Sequence, residues 1–98
     1  MKKILLACNA GMSTSLLVEK MKNYAKEQGI ECEILAMGAT DAEKVVGQWD
    51  VCLLGPQVRY MLARLQKSSD TPVVVIDTRD YGLMDGAKVM QLALNNMK

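Results

Sequence analysis

The sequence predicts an α/β fold: an open parallel sheet of four strands in the order 2-1-3-4, with helices on both faces. Two observations predict it. Apolar runs of strand length alternate with longer amphipathic segments, giving four β-α units in succession, and strands joined through helices pair in parallel. Two of the runs, Val51-Cys52-Leu53-Leu54 and Val73-Val74-Val75-Ile76, are apolar at every position, as strands covered on both faces must be.

Strands are predicted over Lys3 to Cys8, Glu31 to Met37, Asp50 to Leu54 and Pro72 to Asp77. In the first helix Leu17, Met21 and Tyr24 recur at i, i+4 and i+7, while Lys20, Lys22, Asn23, Lys26 and Glu27 turn outward. Gly29 stops it, because glycine accepts the left-handed conformation that ends many helices. Ala39 to Gly47 supports a short second helix. Val58, Met61, Leu62 and Leu65 form the stripe of a third, with Pro56 suited to its first turn. Ala87, Met90, Leu94 and Met97 give the last helix its inward face. No repeat, linker or low-complexity tract interrupts the pattern, so residues 1–98 are expected to form a single domain.

Composition narrows the function. The net charge of +1 shows no basic excess, so neither nucleic acid nor an anionic membrane is an expected partner. With no Phe and eight Met, the core is expected to be aliphatic with adaptable filler. Met1-Lys2-Lys3 followed by Ile4-Leu5-Leu6-Ala7-Cys8 superficially resembles a lipoprotein signal, but its apolar stretch is shorter than the ~7–15 residues a secretory segment needs. No apolar run approaches the ~18 residues of a membrane span, and a cytoplasmic protein is expected. Three cysteines without C-x-x-C spacing fit a reducing compartment. Cys32 and Cys52 fall inside strands as core residues. With no His, the sequence offers no zinc set and no metal is expected.

Cys8 is the residue that carries chemistry. From residue type alone it would be a buried strand thiol. Its position changes that reading: it ends the first strand and opens Asn9-Ala10-Gly11-Met12-Ser13-Thr14-Ser15, which leads into a helix. In doubly wound sheets ligands bind beyond the carboxyl ends of the strands where the order reverses, here between strands one and three. That rule brings the Cys8 loop together with Gly55-Pro56-Gln57. A helix N-terminus leaves about four N–H groups unpaired, which suits a thiolate and a phosphoryl group attached to it. The helix dipole alone contributes only about 0.3–1 kcal/mol, whereas an amide bonded to an ionised acceptor contributes ~1.5–3 kcal/mol. Main-chain amides from about Ala10 to Ser15 are therefore the expected phosphate donors, with the Ser13, Thr14 and Ser15 hydroxyls assisting. Between Lys3 and Glu19 no side chain other than Cys8 ionises, so an incoming phosphate meets no carboxylate there.

The segment Cys8 to Leu17, with Leu53-Leu54-Gly55-Pro56-Gln57, Val75-Ile76-Asp77, Tyr81-Gly82 and Asp85-Gly86, closely resembles the IIB component of the lactose/cellobiose (chitobiose) family of the bacterial sugar phosphotransferase system. The similarity spans essentially the whole chain. It implies a cytosolic phosphoryl carrier without a cofactor. Cys8 would take phosphate from a histidine of the IIA protein and pass it to a sugar, such as cellobiose or chitobiose, imported by the membrane IIC protein. The lack of His agrees, since the donor histidine must then come in trans.

Two other readings stand beside this one. A small tyrosine-phosphatase-like enzyme would place an arginine six residues after the cysteine, where this chain has Thr14. Without that bidentate fork, hydrolysis loses a main stabiliser of the transferring phosphoryl group. Arg59 or Arg79 would have to reach in from another loop, and Asp77, Asp80 or Asp85 would have to act as general acid. Asp85 reads as a helix N-cap, and Asp77 stays open. The third reading is a non-catalytic anion-binding module, although the loop is neither G-x-G-x-x-G nor a nucleotide P-loop. Met12 suits either a partner contact or loop packing. Tyr81-Gly82 is expected to close a loop at the same end of the sheet, and Trp49 to be a half-buried anchor.

Overall fold

The computed structural model describes residues 1–8 and 15–97. The elements run β1 (Lys2–Cys8), α1 (Ser15–Glu27), β2 (Cys32–Gly38), α2 (Ala39–Val45), β3 (Val51–Leu54), α3 (Leu62–Ser68), β4 (Val73–Val75), α4 (Thr78–Gly82) and α5 (Gly86–Asn96). Short 3₁₀ segments at Val46–Gln48 and Pro56–Met61 precede β3 and α3. All pairings are parallel and the strand order is β2-β1-β3-β4, as expected.

Alternation along the two central strands divides the core into two layers. Ile4, Leu6, Val51 and Leu53 face α1 and α5, where Leu17, Met21, Val89 and Met90 are buried against them. Leu5, Ala7, Cys52 and Leu54 face the other way, onto Ala42, Val58 and Leu65. Each fully buried aliphatic side chain contributes about 1.5–3 kcal/mol, so these layers supply the main force holding the sheet between its helices.

Two glycines are required by geometry. Gly29 has φ +69°, and Ile30 N–H donates to Ala25 C=O at 2.8 Å, which reverses the chain after α1. Gly86 starts α5 against α1; a Cβ there would stand 2.6 Å from the Lys20 carbonyl carbon. Before β3, Asp50 clamps the chain to β1. Its carboxylate accepts from Lys3 N–H at 2.8 Å, and its own N–H donates to Lys3 C=O at 2.9 Å.

Several expectations need correction. β4 is three residues long because the chain turns away at Asp77, although Ile76 N–H still donates to Leu54 C=O at 2.8 Å. The buried line of α5 is Gly86, Val89, Met90 and Ala93, rotated from the expected stripe; Leu94 and Met97 lie at its margin. Pro56 opens a 3₁₀ segment, kinked at Val58, ahead of the α-helix. Trp49 is only 6% exposed, with the Lys3 ammonium 5.1 Å from its ring centroid. Cys32 is only partly buried because β2 is an edge strand.

Candidate active site

β1 lies between β2 and β3, and Cys8 is its last residue. The expected reversal point is therefore where the thiol sits. Only 3% of Cys8 is exposed, and its register partner on β2 is Gly38. The thiol donates a long hydrogen bond to the Met37 carbonyl oxygen, at 3.7 Å. On the β3 side Gly55 N–H donates to Ala7 C=O at 2.8 Å, carrying the ladder one residue past β3 and laying Gly55 beside Cys8. Both strand neighbours of Cys8 are glycine, so neither β2 nor the end of β3 places a side chain directly beside it.

Of Gly55, Pro56 and Gln57, expected beside Cys8, Gly55 is brought there; Gln57 Oε1 lies over Gly55, and Pro56 starts the segment that follows. Gly55 C=O accepts from Val58 N–H at 3.0 Å, which folds the Pro56–Met61 segment over the end of β3. A cavity of about 120 Å³ opens between this segment and the β2–α2 junction, lined by Cys8, Gly38, Thr40, Asp41 and Tyr60 among others. Thr40, Asp41 and Tyr60 were not singled out by the sequence. They come from the first turn of α2 and from the 3₁₀ segment after β3, both remote in sequence from the Cys8 loop, and only the 2-1-3 strand order joins them. Asn9, Ala10, Gly11, Met12, Ser13 and Thr14 lie outside the described residues; the backbone of Ser15 opens α1.

The acidic candidates separate. Asp77 caps α4, its carboxylate accepting from Arg79 N–H at 2.8 Å, and Asp85 caps α5 by accepting from Lys88 N–H at 3.1 Å. Arg59 and Arg79 are exposed. Tyr81 behaves differently: instead of closing an open loop it lies within α4 and is only 4% exposed. Its ring packs in the layer of Leu6, Leu17, Ile76 and Met90. Its hydroxyl has no hydrogen-bond partner among the described residues. Burial pushes the Tyr81 pKa up, and a charge on Cys8 pushes it further, so the hydroxyl keeps its proton and is a hydrogen-bond donor.

Around this end three large apolar side chains are exposed: Leu16 at the start of α1, Tyr60 after β3 and Leu83 after α4. The other two cysteines differ from Cys8 in setting. Cys52 is fully buried in the central strand, which pushes its thiol up to about 12, and burial also raises that of Cys32.

The four-stranded parallel α/β domain agrees with the relatives of this chain. Residues 3–92 match the family described as PTS system, lactose/cellobiose-specific IIB subunit. The chain is 49% identical over 100 residues to the oligo-beta-mannoside-specific EIIB component of Bacillus subtilis (strain 168), covering 99% of this chain and 97% of that protein. It is 44% identical over 104 residues to the galactose-specific EIIB component of Lactococcus lactis subsp. cremoris (strain MG1363), covering 98% and 96%. The solution structure of the cellobiose-specific phosphotransferase IIB component from Borrelia burgdorferi has a TM-score of 0.79 at 45% identity, over 96% of this chain and 89% of that one. The chain belongs to the lactose/cellobiose-specific IIB family and is a phosphotransferase component of a sugar phosphotransferase system.

Proposed function

We propose that Cys8 is the phosphoryl carrier, in a single IIB domain formed by residues 1–98. The observation that carries this reading is the place of Cys8 at the end of β1, at the reversal point, between Gly38 and Gly55. In the first step the sulfur, as thiolate, attacks the phosphorus of a IIA phosphohistidine. The S–P bond forms, the N–P bond breaks, and its electron pair stays on the imidazole nitrogen. The thiol proton has left beforehand, to solvent or to that imidazole. In the second step a sugar hydroxyl at the IIC site attacks phosphorus; the S–P pair returns to Cys8 as thiolate and the hydroxyl proton passes to a base of the partner.

Backbone amides of residues 10–15 would receive the phosphoryl oxygens, assisted by the hydroxyls of Ser13, Thr14 and Ser15. The exposed Leu16, Tyr60 and Leu83 suit apolar contact with IIA and IIC in turn. The work is cytoplasmic, with transient docking at the inner membrane face. The relatives are named for oligo-beta-mannoside, galactose and cellobiose; the substrate proposed is cellobiose, chitobiose or a related disaccharide, in line with the first and third of these and not the second.

A carrier must keep its phosphoryl group while it moves between partners. Thr14 in place of the phosphatase arginine, and Asp77 and Asp85 engaged as helix caps, favour retention over hydrolysis. The test is a time course with phosphorylated IIA, following intact mass and released inorganic phosphate. One phosphoryl adduct, absent from Cys8→Ser and persisting without matching phosphate release, supports the carrier. Continuous Cys8-dependent release would make the protein a phosphohydrolase instead.

A further inference from the structure

We propose that the Tyr81 hydroxyl is a phosphoryl-binding group of this site, donating its hydrogen bond to the phosphoryl group when Cys8 carries one. The inference rests on the reading of Cys8 as the carrier. Three observations lead to it. The Tyr81 hydroxyl is buried and has no partner among the described residues, which is costly for a polar atom and calls for a ligand. Ile4 and Leu6 point into the layer where the Tyr81 ring packs, and Cys8 continues that alternation on β1. A charge on Cys8 is also felt at the hydroxyl, so the two groups are within electrostatic reach.

The ring is held by its own turn. Asp77 C=O accepts from Tyr81 N–H at 2.9 Å, Tyr81 C=O accepts from Met84 N–H at 3.1 Å, and Met84 takes φ 53° to bring the chain into α5. A donor fixed in this way loses little freedom when an acceptor arrives. A phosphoryl group on sulfur adds three acceptor oxygens and negative charge at the position the hydroxyl senses. Tyr81 keeps its proton throughout; no bond to it forms or breaks in the transfer. A hydrogen bond to a charged acceptor changes an equilibrium by roughly ten- to a hundredfold.

The test compares wild type with Tyr81→Phe in three measurements. Thermal melting of the unphosphorylated proteins should show Tyr81→Phe no less stable than wild type, because the hydroxyl it removes has no partner among the described residues. At equilibrium with phosphorylated IIA, Tyr81→Phe should hold its phosphoryl group about tenfold or more less favourably. A ³¹P titration of the phosphoproteins should show a higher phosphoryl pKa in Tyr81→Phe, since a lost donor disfavours the dianion. A clearly lower melting temperature would assign the hydroxyl a structural role and overturn the proposal. Equal equilibria and equal ³¹P titrations would overturn it as well. If wild type itself gains no phosphoryl group from a competent donor, the failure lies with the carrier reading of Cys8.

Discussion

A Cβ placed on Gly55 stands 3.3 Å from Cys8 Cβ and 3.3 Å from Gln57 Oε1, so residue 55 sets the room beside the thiol. The backbone there, φ −61° and ψ 145°, is open to any residue. What keeps it glycine is closeness rather than conformation. Gly55→Ala is expected to cost about 1–3 kcal/mol in urea unfolding, through overpacking, and to slow phosphoryl acceptance by Cys8. Unchanged stability and unchanged acceptance would show that the neighbours yield freely.

The α1–α5 contact is less forgiving. Gly86→Ala drives a methyl to 2.6 Å from the Lys20 carbonyl carbon and 2.8 Å from its oxygen, and backbone cannot step aside as a side chain can. A loss of about 3 kcal/mol, at the upper end for overpacking, is expected by denaturant titration. Gly82→Ala is the control: nothing lies within 4 Å of its Cβ, and stability should change by about 0.5 kcal/mol or less.

Asp77 is a cap, and its removal should behave as one. Asp77→Ala leaves Arg79 N–H without its acceptor and is expected to cost about 1 kcal/mol. Phosphoryl acceptance and release of inorganic phosphate should stay close to wild type. A tenfold fall in phosphate release with stability intact would instead make Asp77 a general acid.

Cys52 predicts an alkaline weakness. Its thiol is pushed from the ordinary 9.0 to about 12 by burial, so between these values the unfolded chain releases a proton that the folded one retains. The unfolded state then binds fewer protons, and stability falls by about 1.4 kcal/mol per pH unit from pH ~9 towards 12. Below pH ~9 both states hold the proton and the effect vanishes. Stability measured against pH should show a shallower fall in Cys52→Ala than in wild type. In native protein at pH 7.5, as ~1.5 units below the ordinary value, Cys52 should also resist alkylation, and should react once the chain is unfolded.

The architecture was legible because it rests on runs and periods. Val51 to Leu54 is apolar throughout and proved to be a central strand, while the helix stripe through Leu17 and Met21 proved to be the buried face of α1. The sheet order followed, and with it the expected meeting of Cys8 and Gly55. What failed depended on neighbours that no local pattern encodes. Val73 to Ile76 reads as one uniform run, yet the strand stops at Val75 because Asp77 begins a new helix as its cap. Cys32 reads as a core residue because it falls inside a strand-like segment, but only the whole sheet reveals β2 as an edge. Asp41 and Tyr60 reach the Cys8 cavity from either side through strand order alone. Tyr81 could be placed near the site from its loop, whereas the lack of a partner for its hydroxyl among the described residues is a fact of packing.

The most direct test of the central claim is a chase of the isolated phosphoprotein. After loading from phosphorylated IIA and removal of the donor, membranes bearing IIC are added with a β-linked disaccharide, and the label is followed among protein, sugar and inorganic phosphate. The account predicts that the label leaves Cys8 for the sugar and stays on protein when sugar or membranes are omitted, with Cys8→Ser never loading. Label on a residue other than Cys8, or its quantitative appearance as inorganic phosphate without membranes, would contradict it.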